Sequence, residues 1–364
     1  MVLLTTFHYI CLFAVIFILG TIRTMIDRNE TIRNQSLEAN IIHKYLMTAN
    51  QLENSTLPIL WIHVPTEINS RQWLSYSERN SYNLNQPYLH TTLKSIISKC
   101  EQSFTICIIN DNSFEKLLPS WTVNMSIASN PMLGYLRDLA MMKLLYKYGG
   151  LVCPISFLCL KNLDEMYNIG TNNNKTMFAC EVPDIININN TFKRSMRFCG
   201  APPNHERVGA FINYIEYEIT EDTTSETEFN GRYDVWLSRG KNKTEITEIP
   251  GTLIGTQTLD KNPVLIDHLM SQQYLNLSPN TMGILIPANE ILSRTAYSWF
   301  ARISERDALT SNTIIGNYLL ISSGECSNSS NNNNNNSENV EIVTNPKWIP
   351  FWKIPTDAPL WGVS

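Results

Sequence analysis

The segment 139–164, LAMMKLLYKYGGLVCPISFLCLKNLD, constrains the fold more than any other part of the chain. Leu133, Leu136, Ala140, Leu144 and Tyr148 recur at helical spacing, so one stripe of a helix faces a core. Pro131 suits the first helical position, with Ser129 or Asn130 as the cap. Lys143 and Lys147 lie near the helix end, where positive charge meets the negative pole of the dipole. Gly149 is placed to end the helix in the left-handed conformation, and the apolar triplet 151–153 follows at once as a short buried strand. A helix turned directly into a strand belongs to an alternating α/β chain, in which parallel strands are covered by helices on both faces. Ligands of such sheets sit beyond the carboxyl ends of the strands. The loop after 151–153, Pro154-Ile155-Ser156, is therefore the natural place for a site.

The flanking sequence repeats this alternation. Residues 57–64 (LPILWIHV) form an apolar run between Pro58 and Pro65 that reads as a buried first strand. Leu89, Leu93, Ile96 and Ile97 mark a helix over 88–99, and 104–110 (FTICIIN) a second strand ending at an Asp111-Asn112-Ser113 turn. Further on come Asn-rich loops at 171–175 and 184–191, a helix over 208–218, a Thr- and acid-rich bridge at 216–231, a late strand at 283–286 and a last core element at 314–322. The expected organisation is a transmembrane signal-anchor at 1–23, a stalk at 24–56, one globular domain at 57–323, an Asn-rich linker at 324–345 and a Trp- and Pro-rich tail at 346–364. The linker has no apolar surface to offset chain entropy and is expected to be disordered. The tail either docks on the domain or rests at a membrane interface, where Trp is favoured.

Residues 2–22 carry no charge, which is enough to cross a bilayer core of ~30 Å as a helix. They lack the basic start and clear small-residue cleavage site of a removable signal peptide. A single-pass membrane location is the expectation, with a cleaved signal as the alternative. A net charge of −5 gives no reason to expect nucleic acid as a partner. The six His and eight Cys show no CxxC or HExxH spacing, so no metal site is expected from them. Cys100/Cys107, Cys153/Cys159 and Cys180/Cys199 either pair in an oxidising lumen or stay free as small apolar residues. The N-x-S/T sites at Asn29, Asn34, Asn54, Asn124, Asn174, Asn189, Asn242, Asn276, Asn328 and Asn335 point to a glycoprotein. Their excess over chance is small, because about one residue in nine is Asn.

Residues 57–64 and 138–164 resemble the DXD-containing, GT-A-fold glycosyltransferases that include the yeast-type initiating mannosyltransferases. That family opens on Pro-Lys-Ile-Ile-His, and Pro58 and His63 stand in a similar run here. Its central motif runs Asp-Leu-Leu-Arg, Tyr-x-Tyr-Gly-Gly-Ile-Tyr-x-Asp-x-Asp and Leu-Lys-Pro-Leu-Asp. Asp138, Tyr146, Tyr148, Gly149, Gly150, Leu160, Lys161, Leu163 and Asp164 match it without a gap. The family's Arg falls on Met141, and its two aspartates fall on Pro154 and Ser156. Weaker likeness continues at 178–181 (FACE) and at 200–202 with His205. Residues 73–110 and 251–322, with the Trp-rich tail, resemble an uncharacterised family from giant DNA viruses that carries the same core and the same carboxylate loss.

The resemblance implies a GT-A-like mixed, mostly parallel sheet flanked by helices, with a nucleotide-sugar touching Asp138, Gly149, Gly150 and Ser156. Transfer of a sugar leaves a nucleoside diphosphate whose charge needs a divalent ion or a cationic clamp. Mn²⁺ or Mg²⁺ needs oxygen ligands, mostly carboxylates, and Pro154 and Ser156 supply none, so neither metal is expected. Lys161 is the one nearby cation in the sequence, and it matches the family's own Lys. Asp138 either binds nucleotide or pairs with Arg137. Glu181 and Asp164 are candidate acid/base groups, and His63 and His205 candidate bases or ligands, each equally readable as a solvated or structural side chain. The expected function is a membrane-anchored, degenerate glycosyltransferase-like protein that binds a sugar, nucleotide or partner without efficient transfer. The alternatives are an active, metal-independent transferase and a structural membrane protein of a viral particle or its assembly compartment.

Overall fold

The computed structural model describes residues 20–23, 25, 52–53, 55–64, 86–125, 127–128, 132–184, 192–221 and 229–323 of the chain. The chain divides into two units, 1–45 with 70–83 and 46–69 with 84–364. Of the first, only 20–23 and 25 are described; they are helical and exposed. No helix among the described residues is long and apolar enough to cross a membrane. The expected anchor at 2–22 falls almost wholly outside them, as do the linker at 324–345, the tail at 346–364 and the proposed caps at 129–131.

The second unit is a mixed α/β domain. In chain order its elements are β1 (Ile59–His63), α1 (Tyr88–Cys100), β2 (Thr105–Ile109), α2 (Asp111–Leu117), α3 (Met132–Tyr148), β3 (Gly150–Val152), β4 (Phe157–Cys159), α4 (Asp164–Thr171), β5 (Met177–Pro183), β6 (Phe192–Ala201), α5 (Glu206–Glu221), α6 (Phe229–Ser238), α7 (Asn242–Glu245), β7 (Ile246–Ile249), α8 (Ile266–Leu269), β8 (Gly283–Leu285), α9 (Ala288–Ser293), α10 (Glu305–Leu309) and α11 (Ile314–Ser323). Six strands form one sheet in the order β2-β1-β3-β6-β5-β7. β1 pairs parallel with β2 and β3, and β5 parallel with β7. β6 is antiparallel to both its neighbours. The sheet is thus mostly parallel and flanked by helices, as expected. β4 and β8 make a separate antiparallel pair.

The alternation of side chains along these strands sorts the core. One register row runs Cys107, Trp61, Val152, Cys199, Ala179 across five strands, and all five belong to the main apolar cluster with α2, α3, α5 and α6. The next row, Ile106, Leu60, Leu151, Gly200, Phe178, faces the other side. There α4 closes on Phe178, where a side chain at Gly170 would lie 2.5 Å from its ring. Phe157 of β4 meets Phe198 of β6 edge-on, with ring centroids 4.9 Å apart. A second cluster joins α1, β4 and β8 to α8–α11.

Gly149 and Gly150 make the helix-to-strand turn as expected. Gly149 sits at φ 70° and Gly150 at φ 106°, conformations that side-chain-bearing residues rarely adopt. A Cβ at Gly150 would stand 2.1 Å from the Ile59 carbonyl oxygen, so β1 and β3 approach only because that position is bare. The indole N–H of Trp61 donates to the Gly149 carbonyl at 2.8 Å and secures the turn.

Three expectations need correction. The stalk does not extend to residue 56: Leu52 is buried in the main core, and the Ser55 hydroxyl lies 2.6 Å from that of Thr105. The Asp111-Asn112-Ser113 turn is the first turn of α2. Ser113 Oγ donates to Asn110 Oδ1 and accepts from the Asn110 N–H, a reciprocal cap whose residue types equally mark a turn. Residues 216–231 are not a single bridge, since α5 runs on to Glu221 and α6 begins at Phe229.

Candidate functional site

Three consecutive strand ends open on one edge of the parallel half of the sheet: His63 closing β1, Asn110-Asp111 after β2, and 153–156 after β3. Trp61 is level with Val152, and the Cys153 N–H donates to the Trp61 carbonyl, so continuing the register sets Pro154 beside His63. Neighbouring strands lie about 4.8 Å apart. The three loops therefore converge within about two strand spacings at the edge where α/β sheets bind ligands.

Asp111 is the hub. Its Oδ1 accepts from His63 Nε2 at 2.9 Å and from Arg137 Nε at 2.9 Å, and its Oδ2 accepts from Arg137 Nη2 at 2.7 Å. All three side chains are at least 85% buried. Burial pushes the Asp111 carboxyl up, but the His63 hydrogen bond and the Arg137 guanidinium outweigh it and hold the group at about 2. The His63 ring stacks on Phe114 at 5.4 Å, which fixes the imidazole plane. Helix α2 supplies that platform because Asn110 and Ser113 cap it at the right residue.

Asp138 does not pair with Arg137, the neighbour the sequence suggested. It takes a two-pronged bond from Arg197 of β6, Nε to Oδ1 at 3.2 Å and Nη2 to Oδ2 at 3.0 Å. Helix α3 is thus pinned by two ion pairs of opposite sense, Arg137 reaching Asp111 and Asp138 receiving Arg197. Met141, on the same helix, is buried in the apolar core.

The 154–156 loop is fixed from both sides. The Thr92 hydroxyl donates to the Ile155 carbonyl at 2.6 Å, and the Ile286 N–H to the Ser156 carbonyl at 3.1 Å. Ser156 is buried and Pro154 half-buried. Gly149 and Gly150 lie at the amino end of β3, the opposite end from Ser156. The structure therefore separates these two groups of sequence candidates, and gives the glycines a role in the backbone. Lys161 lies beyond β4 and donates to the Pro279 carbonyl at 2.6 Å.

The remaining candidates have structural partners. His205 Nδ1 accepts the Arg207 N–H at the start of α5. Asp164 opens α4 and accepts from Asn168 Nδ2. Burial pushes the Glu181 carboxyl up against a hydrogen bond from the Gly251 N–H. Cys153 follows Val152 and so faces away from His63, excluding a thiol–imidazole pair between them. Burial, then Cys100 and Cys180, push its thiol well above the ordinary value, the reverse of what a nucleophile needs. Among the described residues no group of three or more His, Cys, Asp or Glu stands close enough to hold a metal ion.

Asp111 and Arg137 were missed in the sequence as a pair. They are 26 positions apart, and nothing in spacing links a post-strand Asp to an Arg one helix later. No protein-family model, no curated protein and no solved structure matches the chain.

Proposed function

We propose that this is a glycosyltransferase-like protein of the GT-A type whose donor edge has lost its metal clamp, so that it binds a nucleotide-sugar, a glycan or a partner without efficient transfer. The carrying observation is the 154–156 loop. It lies beside His63 at the carboxyl edge and offers a ring, an apolar side chain and one hydroxyl where the resemblance expects two carboxylates. A mostly parallel sheet flanked by helices, with a small second sheet springing from that loop, is in keeping with the reading.

A departing diphosphate needs compensation at the moment the glycosidic bond breaks. Asp111 already accepts three hydrogen bonds from His63 and Arg137, which compensate its charge without a metal. The Arg137 guanidinium and the His63 imidazole stand at this edge, and each is bonded to Asp111. That arrangement favours recognition of a polar ligand over stabilisation of a leaving group. The same two groups favour, as a second reading, metal-independent transfer in which substrate phosphate draws them away from Asp111. Membrane attachment through 2–22 belongs to the proposal on sequence alone.

The test is titration of the full chain, in detergent micelles, with UDP- and GDP-sugars with and without Mn²⁺. Saturable binding that Mn²⁺ leaves unchanged, without sugar release, supports the reading. Mn²⁺-dependent affinity or turnover overturns it, and metal-free release that disappears in Arg137→Ala selects the second reading.

A further inference from the structure

Six cysteines are described, all buried and none of them in a disulfide. Cys107 and Cys199 belong to the main core, on one face of the sheet. Two others meet on the opposite side. Cys100 is the last residue of α1 and Cys159 the last of β4, and their sulfurs stand 3.9 Å apart. None of the three pairings suggested by sequence spacing joins these two.

The contact is framed by rigid partners. Thr92, Ser95, Ile96 and Cys100 share the buried face of α1. Ser95 Oγ accepts from the backbone N–H of Cys159 itself at 2.9 Å, while Thr92 Oγ1 holds the Ile155 carbonyl just before β4. Helix end and strand end are thus tied together one turn away from the sulfurs. A disulfide needs a sulfur separation of ~2.05 Å, and the two sulfurs already stand in direct contact between α1 and β4. The Cys159 thiol donates to the Lys161 carbonyl, an interaction given up when the bond forms.

We propose that Cys100 and Cys159 form a redox-modification site that closes to an intramolecular disulfide in an oxidising thiol–disulfide medium. With glutathione disulfide as oxidant, the Cys100 thiolate attacks one glutathione sulfur and expels the other as thiolate. The Cys159 thiolate then attacks the Cys100 sulfur of the mixed disulfide and releases the second glutathione. Two electrons pass from the cysteines to glutathione disulfide, and the two cysteine protons end on the two glutathione thiols. When the Cys159 S–H turns from the Lys161 carbonyl to the Cys100 sulfur, its hydrogen bond lowers the pKa of the Cys100 thiol against burial, which makes Cys100 the attacking member. Because both sulfurs are buried, exchange proceeds through local opening or during folding. The bond spans 59 positions in sequence and fastens the helix end to the strand that follows the 154–156 loop.

The test equilibrates the full chain, both natively and during refolding from denaturant, in glutathione buffers of rising oxidised fraction. Free thiols are then blocked with N-ethylmaleimide and peptides sequenced by mass spectrometry. The expected product is a Cys100–Cys159 cross-link lighter by two hydrogens than the separate peptides, with Cys107, Cys153, Cys180 and Cys199 blocked only after denaturation. The oxidised chain should melt several degrees above the reduced one, and Cys159→Ala should abolish the difference. Two maleimide-blocked sulfurs at Cys100 and Cys159 in the most oxidising buffer, under both regimes, would overturn the proposal. So would a dominant cross-link to any other cysteine.

Discussion

Replacing Asp111 by Asn tests the site's electrostatics directly. In the folded chain the carboxyl is held at about 2, against 3.8 in an unstructured chain. That depression corresponds to roughly 2 kcal/mol of stability at neutral pH. Because the folded value is the lower one, this contribution is fully present above the unfolded pKa and disappears as pH falls through the folded value. About half is gone by pH 3. Asn cannot titrate, and it leaves Arg137 buried without its counter-charge, which costs a few kcal/mol at pH 7. The stability gap between wild type and Asp111→Asn, measured by urea denaturation, should narrow by about 1 kcal/mol between pH 5 and pH 3. Glu305, also held at about 2, by His90 and Lys94 against burial, titrates alike in both proteins and cancels in the difference. A gap independent of pH would refute the claim that His63 and Arg137 stabilise an ionised Asp111.

Other outcomes follow from the same contacts. Gly150→Ala should destabilise the fold by roughly 3 kcal/mol or more, because its Cβ meets the Ile59 carbonyl. Gly134→Ala, at an open position in α3, should stabilise it by about 0.5–1 kcal/mol; thermal melts of the two variants check both signs. When the chain is expressed through a secretory pathway, glycans should appear on Asn174 and Asn276, which are exposed. Asn242 should stay bare, since its amide is buried and donates to the Trp236 carbonyl; site-occupancy mass spectrometry distinguishes them.

The parts of this fold that are legible in sequence are those where local chemistry and tertiary packing agree. β1, α1, β2, α3 and β3 appear where apolar period and glycine punctuation put them, because each buries one continuous face. Asn172, Asn173 and Asn174 all adopt positive φ, the conformation that makes an Asn-rich stretch a turn. The hairpin-like pair β5 and β6 is harder to see: Lys193, Arg194 and Arg197 interrupt the apolar pattern of β6. Its charges are consumed in tertiary contacts that no local pattern reveals. Arg194, buried, bonds Glu248 and the carbonyls of Leu237, Asn242 and Lys243, and so ties β6 to the end of α6. The same limit applies at the site. The triplet 154–156 is visible as a departure from a motif, whereas the Asp111–Arg137–His63 network exists only once two strand ends and helix α3 are brought together.

The central claim is that 154–156 is a vacated metal position at a ligand-binding edge. Manganese titration followed by electron paramagnetic resonance, in the presence of UDP, tests it on wild type and on the Pro154→Asp, Ser156→Asp double variant. The expected result is no saturable Mn²⁺ in wild type and a UDP-dependent site in the double variant. Equal Mn²⁺ affinity in the two proteins, or a folded double variant that gains none, would contradict the account.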